Sequence, residues 1–284
     1  MKLTILFDRL RWEEKALQKE AQALGANAAL VDAKPLVFEI SRVRRAREFG
    51  DVVLQRCISF YRTLYLTRIL ENLGVSVVNP YLVTESCGNK LLTTLILAKA
   101  KIPTPRTMIS LSSDTVAESA QKMGFPVVLK PFVGSWGRMV SIARDKEALL
   151  SIVELREELQ NPIEHMYYLQ EFVKRPPRDV RAVVAGDEIA ACVYRYAPED
   201  DWRTNVARGG LTKALKPNKE LREIIFRAAD AVGGGVLGVD AMESEEGYLV
   251  HEVNNTVEFA GAQAATSGSI ARKIAAYVIS RARK

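Results

Sequence analysis

An α/β fold that opens on a parallel sheet is predicted by three features of the 284-residue chain. Short apolar runs alternate with helical stretches along its first part, the order from which a buried parallel sheet is built. Later apolar runs are joined by glycine-containing turns, as in antiparallel hairpins. Hydrophobic residues make up 48% of the chain, enough for a substantial core and, at this length, about two domains.

The run Lys2-Leu3-Thr4-Ile5-Leu6-Phe7 is a first strand ended by Asp8-Arg9, too short and too soon charged for a signal peptide. A helix is expected over residues 13–24, with Leu17, Ala21 and Leu24 on one side and Gly25 closing it. Residues 29–31 and 52–54 suit buried strands, and 75–79 a further strand stopped by Pro80. These elements define a first domain over residues 1–85. Residues 87–100 read as one helix with Leu91, Leu92, Leu95 and Ala98 on its apolar side. Pro103-Thr104-Pro105 is a stiff connector, and Ser113-Asp114 can cap a helix that ends near Gly124. A strand over 127–130, bracketed by Pro126 and Pro131, runs into Gly134-Ser135-Trp136-Gly137-Arg138. A helix over 146–159 follows. Residues 167–169 and 182–184 are strand-like, and Gly186-Asp187 turns the chain back into 189–193. A helix over 221–232 is broken by Gly233-Gly234-Gly235. Residues 236–240 then pair with 248–253 across Ser244-Glu245-Glu246-Gly247, and a last helix covers about 269–282.

Composition narrows the function. The net charge is +6, with basic residues dispersed apart from Arg42-Val43-Arg44-Arg45 and the last positions. A contiguous basic face for nucleic acid is not expected. No apolar stretch approaches the roughly 18 residues that span a bilayer, so no membrane partner is expected and the location is read as cytoplasmic. Cys57, Cys87 and Cys192 are scattered and form neither a disulfide framework nor a metal motif. With only His165 and His251 present, a multi-histidine centre is excluded, and any metal must be a hard ion on oxygen ligands.

The residues that carry chemistry start with Asp240, Glu252 and Asn254. Asp240 ends one strand and Glu252 lies in its hairpin partner, while Glu252 and Asn254, two apart, share a face. Two carboxylates and an amide oxygen suit Mg²⁺ bound together with phosphate oxygens. Taken singly, such carboxylates also fit solvated turn residues. His251 alternates with Glu252 and is read as structural, facing the opposite side. The glycine loop 134–138 directly after a strand lets backbone N–H groups approach phosphates, or serves as an ordinary connector; it is neither a P-loop nor a dinucleotide fingerprint. Lys130 sits in an apolar strand, where an ammonium needs an anionic partner or a route to water. Asn205, Arg208, Gly209 and Gly210 can cradle an anion, with Arg195 on the preceding strand.

In this order these residues resemble the ATP-grasp superfamily, and within it the RimK-like branch. The resemblance spans nearly the whole chain. It implies an open parallel-sheet N-terminal domain (1–85), a small central α+β domain (86–168) and a larger C-terminal α+β domain (169–284), with ATP between the last two. It places Lys90 and Lys130 on the nucleotide phosphates. It makes Gly134, Ser135, Trp136, Gly137 and Arg138 the flexible loop, and puts Gln170, Glu171, Phe172 and Val173 beside adenine and ribose. It makes Asp240, Glu252 and Asn254 the Mg²⁺ ligands, with Arg208, Lys130 and Asn205 catalytic. Arg56-Cys57-Ile58-Ser59, the run 205–210 and Glu252-Val253-Asn254-Asn255-Thr256-Val257-Glu258-Phe259 are similar to the LysX and ArgX ligases. That group joins glutamate or α-aminoadipate to the acidic carrier protein LysW in arginine or lysine biosynthesis. Homo-oligomers are expected because related ligases assemble. Arg195, then Arg181, are the candidates for the substrate carboxylates, with Asn255 and Thr256 close to the metal. Lysine-type members carry a bulkier polar pair where Ala260-Gly261 stand here, so the resemblance favours glutamate.

Overall fold

The N-terminal segment folds as its alternation predicts. In the computed structural model, which describes residues 1–41, 47–204 and 211–282, β1 (Lys2–Phe7), β2 (Asn27–Asp32), β3 (Val52–Gln55) and β4 (Val77–Val78) form a parallel sheet of order β2-β1-β3-β4. Both faces are covered, so β1 and β3 are near-continuous apolar runs. Helix α1 (Trp12–Ala23) buries Leu17 and Ala21 as expected, and it also buries Glu13 and Glu14. Helix α2 (Phe60–Asn72) escapes the periodicity because two threonines, Thr63 and Thr67, sit on its buried face. The stretch 87–100 is not one helix. α3 (Tyr81–Gly88) and α4 (Lys90–Lys99) are separated by Asn89, whose Oδ1 accepts from the amides of Leu91 (3.0 Å) and Leu92 (3.4 Å). An N-capping asparagine starts a new helix there. The buried face of α4 is Thr93 and Leu97, while Leu95 and Ala98 are exposed.

The central unit is an antiparallel sheet of order β5-β8-β6-β7, from β5 (Thr107–Ser110), β6 (Val127–Lys130), β7 (Ser141–Ala143) and β8 (Tyr167–Glu171). Helices α5 (Val116–Met123) and α6 (Lys146–Glu157) cover it, and Val116, Val127, Leu129, Leu149 and Tyr167 form a core of its own. β8 stays in this sheet to Glu171, past the division at 168 read from the sequence.

The third unit has β9 (Arg178–Ala185), β10 (Glu188–Tyr196), β11 (Leu211–Ala214), β12 (Val236–Ser244) and β13 (Gly247–Asn254) in the order β11-β10-β9-β12-β13. Gly186, at φ 61°, turns β9 into β10. Helix α7 (Lys219–Ala231) buries Leu221, Ile224, Ile225 and Ala228 on one face of the sheet. Two short helices, α8 (Ala260–Ala265) and α9 (Ile270–Ser280), end the fold. α9 packs on the opposite face, where Ile270, Ile274 and Val278 share one core with Leu3, Ile5 and Leu17 of the N-terminal unit and Val183 and Val193 of β9 and β10. Asn79 clamps the same junction: its Nδ2 donates to the carbonyls of Val236 (2.7 Å) and Asn255 (2.9 Å), and its Oδ1 accepts from the Val236 amide (2.7 Å).

Candidate active site

Lys130 leaves the end of β6 into the cleft between the central and third units and is 8% exposed. Its Nζ donates to Gln170 Oε1 (2.6 Å), and Gln170 Nε2 donates onward to Thr107 Oγ1 (3.1 Å) and Tyr168 OH (3.0 Å). Gln170 therefore props the lysine from below. Beyond it, Glu171 accepts from the Arg106 amide, Phe172 packs edge-on to Trp202 at 5.8 Å, and Val173 is half-buried. Burial pushes the Lys130 ammonium down to about 8, helped by Lys90 and Arg175 and opposed by Glu252 and Asp240. Lys90, at the start of α4, donates to the Gly134 carbonyl (2.7 Å) and lies 3.3 Å from Glu252 Oε1.

The acidic hairpin is as the sequence required in one respect and different in two. Asp240 pairs directly across from Glu252, and Gly238 from Asn254. Asp240 does not end its strand, since β12 continues to Ser244. The register then steps from Asp240↔Glu252 to Ala241↔Val250, leaving His251 as the extra residue of a bulge. A bulge cancels strict alternation, so His251 lines the same cleft as Glu252 instead of facing away. Its Nε2 stands 3.7 Å from Asp179 Oδ2, and burial lowers its pKa against the pull of Asp179. Burial works against the Glu252 carboxylate, but Lys90, His251, Lys130 and Arg181 outweigh it and hold the group down to about 2.

Asp240 is gripped by arginines. Arg181 donates from Nε and Nη2, both at 2.6 Å, and Arg195 Nη2 adds a contact at 3.0 Å. Arg195 is itself held by Asp179 through Nε (2.8 Å) and Nη2 (2.7 Å) and is only 4% exposed. Sequence reading put Arg195 first as a ligand for substrate carboxylates; the structure commits its guanidinium to two buried aspartates. Arg181 faces the open cavity. Among the described residues no cluster of three acidic, histidine or cysteine side chains forms a ready-made metal cage. Asp240, Glu252 and Asn254 offer the oxygen donors a hard divalent ion takes, and Asn254 Nδ2 is buried without a partner among the described residues. Both Asp240 oxygens accept from Arg181 here, so an ion at Asp240 would displace that pair. Amide oxygen and nitrogen exchange places on a flip, which would put Asn254 Oδ1 where the unpartnered Nδ2 stands.

The glycine loop divides its side chains between two spaces. Gly134, Ser135, Gly137 and Arg138 face the cleft of Lys130 and Glu252. Trp136 does not. Left-handed backbone at Trp136 (φ 58°) and Gly137 (φ 65°) turns the indole the other way, so that Nε1 donates to Glu258 Oε2 (3.1 Å). Glu258 Oε1 in turn accepts from Arg11 Nη1 (2.9 Å), and the Arg138 guanidinium lies 4.8 Å over the indole. Trp136 walls a cavity of about 260 Å³ that also takes in Lys90, Arg181, Glu252, Asn255 and Thr256. Arg11, Asp179 and Glu258 were not singled out from the sequence. Asp179 stands between Arg178 and Arg181 at the start of β9, where nothing in the pattern of charges sets it apart. Asn205 and Arg208, like the run Arg42-Val43-Arg44-Arg45, lie outside the described residues.

Comparison with known proteins agrees with this geometry. A description of the RimK-like ATP-grasp domain matches residues 87–278, and one of the LysX preATP-grasp domain matches residues 3–86. The α-aminoadipate–LysW ligase LysX of Saccharolobus solfataricus is 40% identical over 250 residues, covering 88% of this chain and 90% of that protein. The glutamate–LysW ligase ArgX of Sulfolobus acidocaldarius is 34% identical over 281 residues, 98% of each. A RimK domain ATP-grasp protein from Sphaerobacter thermophilus superposes with a TM-score of 0.83 at 25% identity, over 98% of this chain and all of that one. A parallel-sheet unit followed by two antiparallel α+β units thus has its counterpart in sequence and in space: the chain belongs to the RimK-like ATP-grasp family and is an ATP-dependent carboxylate–amine ligase.

Proposed function

We propose that this ligase acts on a LysW-type carrier in amino-acid biosynthesis, joining the α-amino group of glutamate to the carrier's C-terminal glutamate through an acyl phosphate. The observation that carries the reading is Lys130, a buried ammonium whose direct partner is the neutral Gln170, opposite the Asp240–Glu252 hairpin. Such a charge calls for an anion brought by a ligand. ATP fits there, with Lys130 and Lys90 offsetting the phosphate charge while the carrier carboxylate attacks the γ-phosphorus, the bond to the bridging oxygen breaks and ADP leaves. Asp240, Glu252 and Asn254 would hold Mg²⁺, which when bound supplies charge neutralisation on the phosphates. Glu252 keeps its carboxylate ionised for this role. The amine then adds to the acyl carbon and loses a proton, and phosphate departs as the amide forms. Closure of the loop at Gly134 and Gly137 keeps water from the acyl phosphate. By resemblance Arg208 and Asn205 join this chemistry.

Ala260-Gly261 after Glu258-Phe259 supports glutamate. A second reading, α-aminoadipate or both, is favoured by the 40% identity to LysX. One methylene discriminates only about 10- to 200-fold. The test is to incubate the enzyme with ATP, Mg²⁺, a LysW-type carrier and each amino acid, and to weigh the carrier. A carrier heavier by one glutamyl residue is expected. Equal ATP consumption with free amino acid and no carrier overturns the carrier assignment.

A further inference from the structure

Trp136 is a large aromatic residue in the middle of a glycine loop, and the chemistry above leaves it without a role. Lys90, Arg156 and Arg203 hold this loop by its backbone. Lys90 Nζ donates to the Gly134 carbonyl (2.7 Å), Arg156 Nη2 to that of Met139 (2.9 Å), and Arg203 Nη1 to those of Gly137 and Val140 (both 3.3 Å). Every residue carries a carbonyl, so these contacts do not explain a tryptophan. Glu258 does require one: its Oε2 accepts from Trp136 Nε1 at 3.1 Å.

Glu258 stands on a fixed post. Its neighbours Val257 and Phe259 are fully buried, in the core that joins the N-terminal unit to α9. Arg56, itself buried, donates from Nη1 to the Val257 carbonyl (2.8 Å). The Glu258 side chain projects outwards and is oriented through Oε1 by Arg11 Nη1 (2.9 Å). Arg11 is fixed in turn by Glu14, through Nε (3.2 Å) and Nη2 (2.7 Å). A carboxylate aimed in this way binds an N–H more strongly than a neutral acceptor does.

On the loop side, the Arg138 guanidinium lies 4.8 Å over the indole, and Trp136 has φ 58°. A non-glycine residue keeps that conformation only where its surroundings hold it. The loop belongs to the central unit, whose core is separate from the one around Val257 and Phe259. The indole contact therefore ties two separately packed bodies together. The cover it fixes serves both spaces of the site: Gly134 and Ser135 line the cleft of Lys130 and the cavity of Arg181 alike.

We propose that Glu258 is a positioning residue that keeps the glycine loop shut by gripping the Trp136 indole, so that water does not reach the acyl phosphate. The proposal rests on the ligase reading above and deepens it by naming what holds the cover in place. Without the grip, water adds to the acyl carbon, the C–O bond to phosphate breaks, and the carrier carboxylate is regenerated. ATP is then hydrolysed to ADP and phosphate with no amide formed. Glu258 acts through the loop and is assigned no part in the chemistry itself.

Glu258→Ala and Trp136→Phe remove the contact from its two ends. In the ligand-free enzyme, amide exchange over residues 134–140 should quicken about fivefold in each, the loss of one hydrogen bond. With ATP, Mg²⁺, a LysW-type carrier and glutamate, phosphate released in excess of carrier amide should rise by a similar factor of about five. The double variant should be no worse than either single one, because both remove the same contact. Glu258→Gln, which keeps an acceptor oxygen, should recover part of the coupling. Unchanged loop exchange in both variants overturns the proposal. So does faster exchange with the wild-type ratio of phosphate to amide, and so do additive effects in the double variant. Should Glu258→Ala fold poorly, Trp136→Phe gives the answer alone, since phenylalanine keeps a ring there and removes the N–H. If the wild-type enzyme forms no amide, the ligase reading fails instead, and loop exchange still decides whether Glu258 holds the loop.

Discussion

Lys130 is a charge that its own surroundings oppose until a ligand arrives. Its folded pKa of about 8 lies below the ordinary 10.5, so between those values the folded chain binds fewer protons than the unfolded one, and stability rises with pH across that window. At neutral pH the buried ammonium costs about 3 kcal/mol. K130M should therefore raise Tm by ~5 °C, remove the pH dependence between 8 and 10, and abolish ATP binding, read by calorimetry and nucleotide titration. Glu252 has the reverse sign: held at about 2 against 4.5, it adds stability above pH 4.5 that is lost as pH falls towards 2. Asp179 anchors Arg195, which touches Asp240 in turn. Asp179→Ala leaves a buried guanidinium half-paired and should cost about 3–5 kcal/mol in urea unfolding, whereas Asp179→Asn should cost less. Lys130, Asp240 and Glu252 were legible in the sequence because each is a charge where an apolar strand predicts none. The commitment of Arg195 was not, because its partners come from two other strands and spacing along one strand does not reveal them.

At the scale of elements, three local irregularities decide what the site presents. The bulge at His251 adds one residue to β13 and brings two neighbouring side chains to one face. Asn89 ends one helix and caps the next, which sets Lys90 at the first position of α4 beside Glu252. The left-handed backbone of Trp136 and Gly137 turns the indole towards Glu258 while Arg138 lines the cleft of Lys130. Gly137→Val forces a β-branched residue into φ 65°, a strain of about 1–3 kcal/mol. The expected result is a kcat lowered about 10- to 100-fold with Tm lower by only about 2–5 °C, and loss of any ATP-induced change in Trp136 fluorescence; normal kcat would mean that the loop does not close in turnover. Most helices and both hairpins of the third unit were readable from period and turn residues. The misreadings fall where a single residue breaks a period: Asn89 in a leucine-rich helical stretch, and His251 in an alternating strand. Periodicity describes a run and is blind to its interruption. α2 was missed for a related reason, its buried face carrying threonines where the helical pattern calls for leucines.

For the whole molecule, the charge of +6 bears on the carrier. If the carrier is acidic, its KM should rise several-fold between about 50 and 300 mM salt, with the KM for glutamate moving less; a flat response would remove electrostatic steering from the account. The order of parallel sheet, small unit and larger unit was visible in the sequence, but the shared packing was not, since no local pattern says that residues near 3–21 lie against residues near 270–278. That packing has a mechanical consequence. The beginning and the end of the chain share one apolar core, whereas residues 107–171 fold around a separate one. Units with separate cores are expected to answer a ligand separately, the middle of the chain shifting against the rest when nucleotide binds. Amide hydrogens of β5–β8 should accordingly slow their exchange when ATP is added, and those of α1 and α9 should hardly respond.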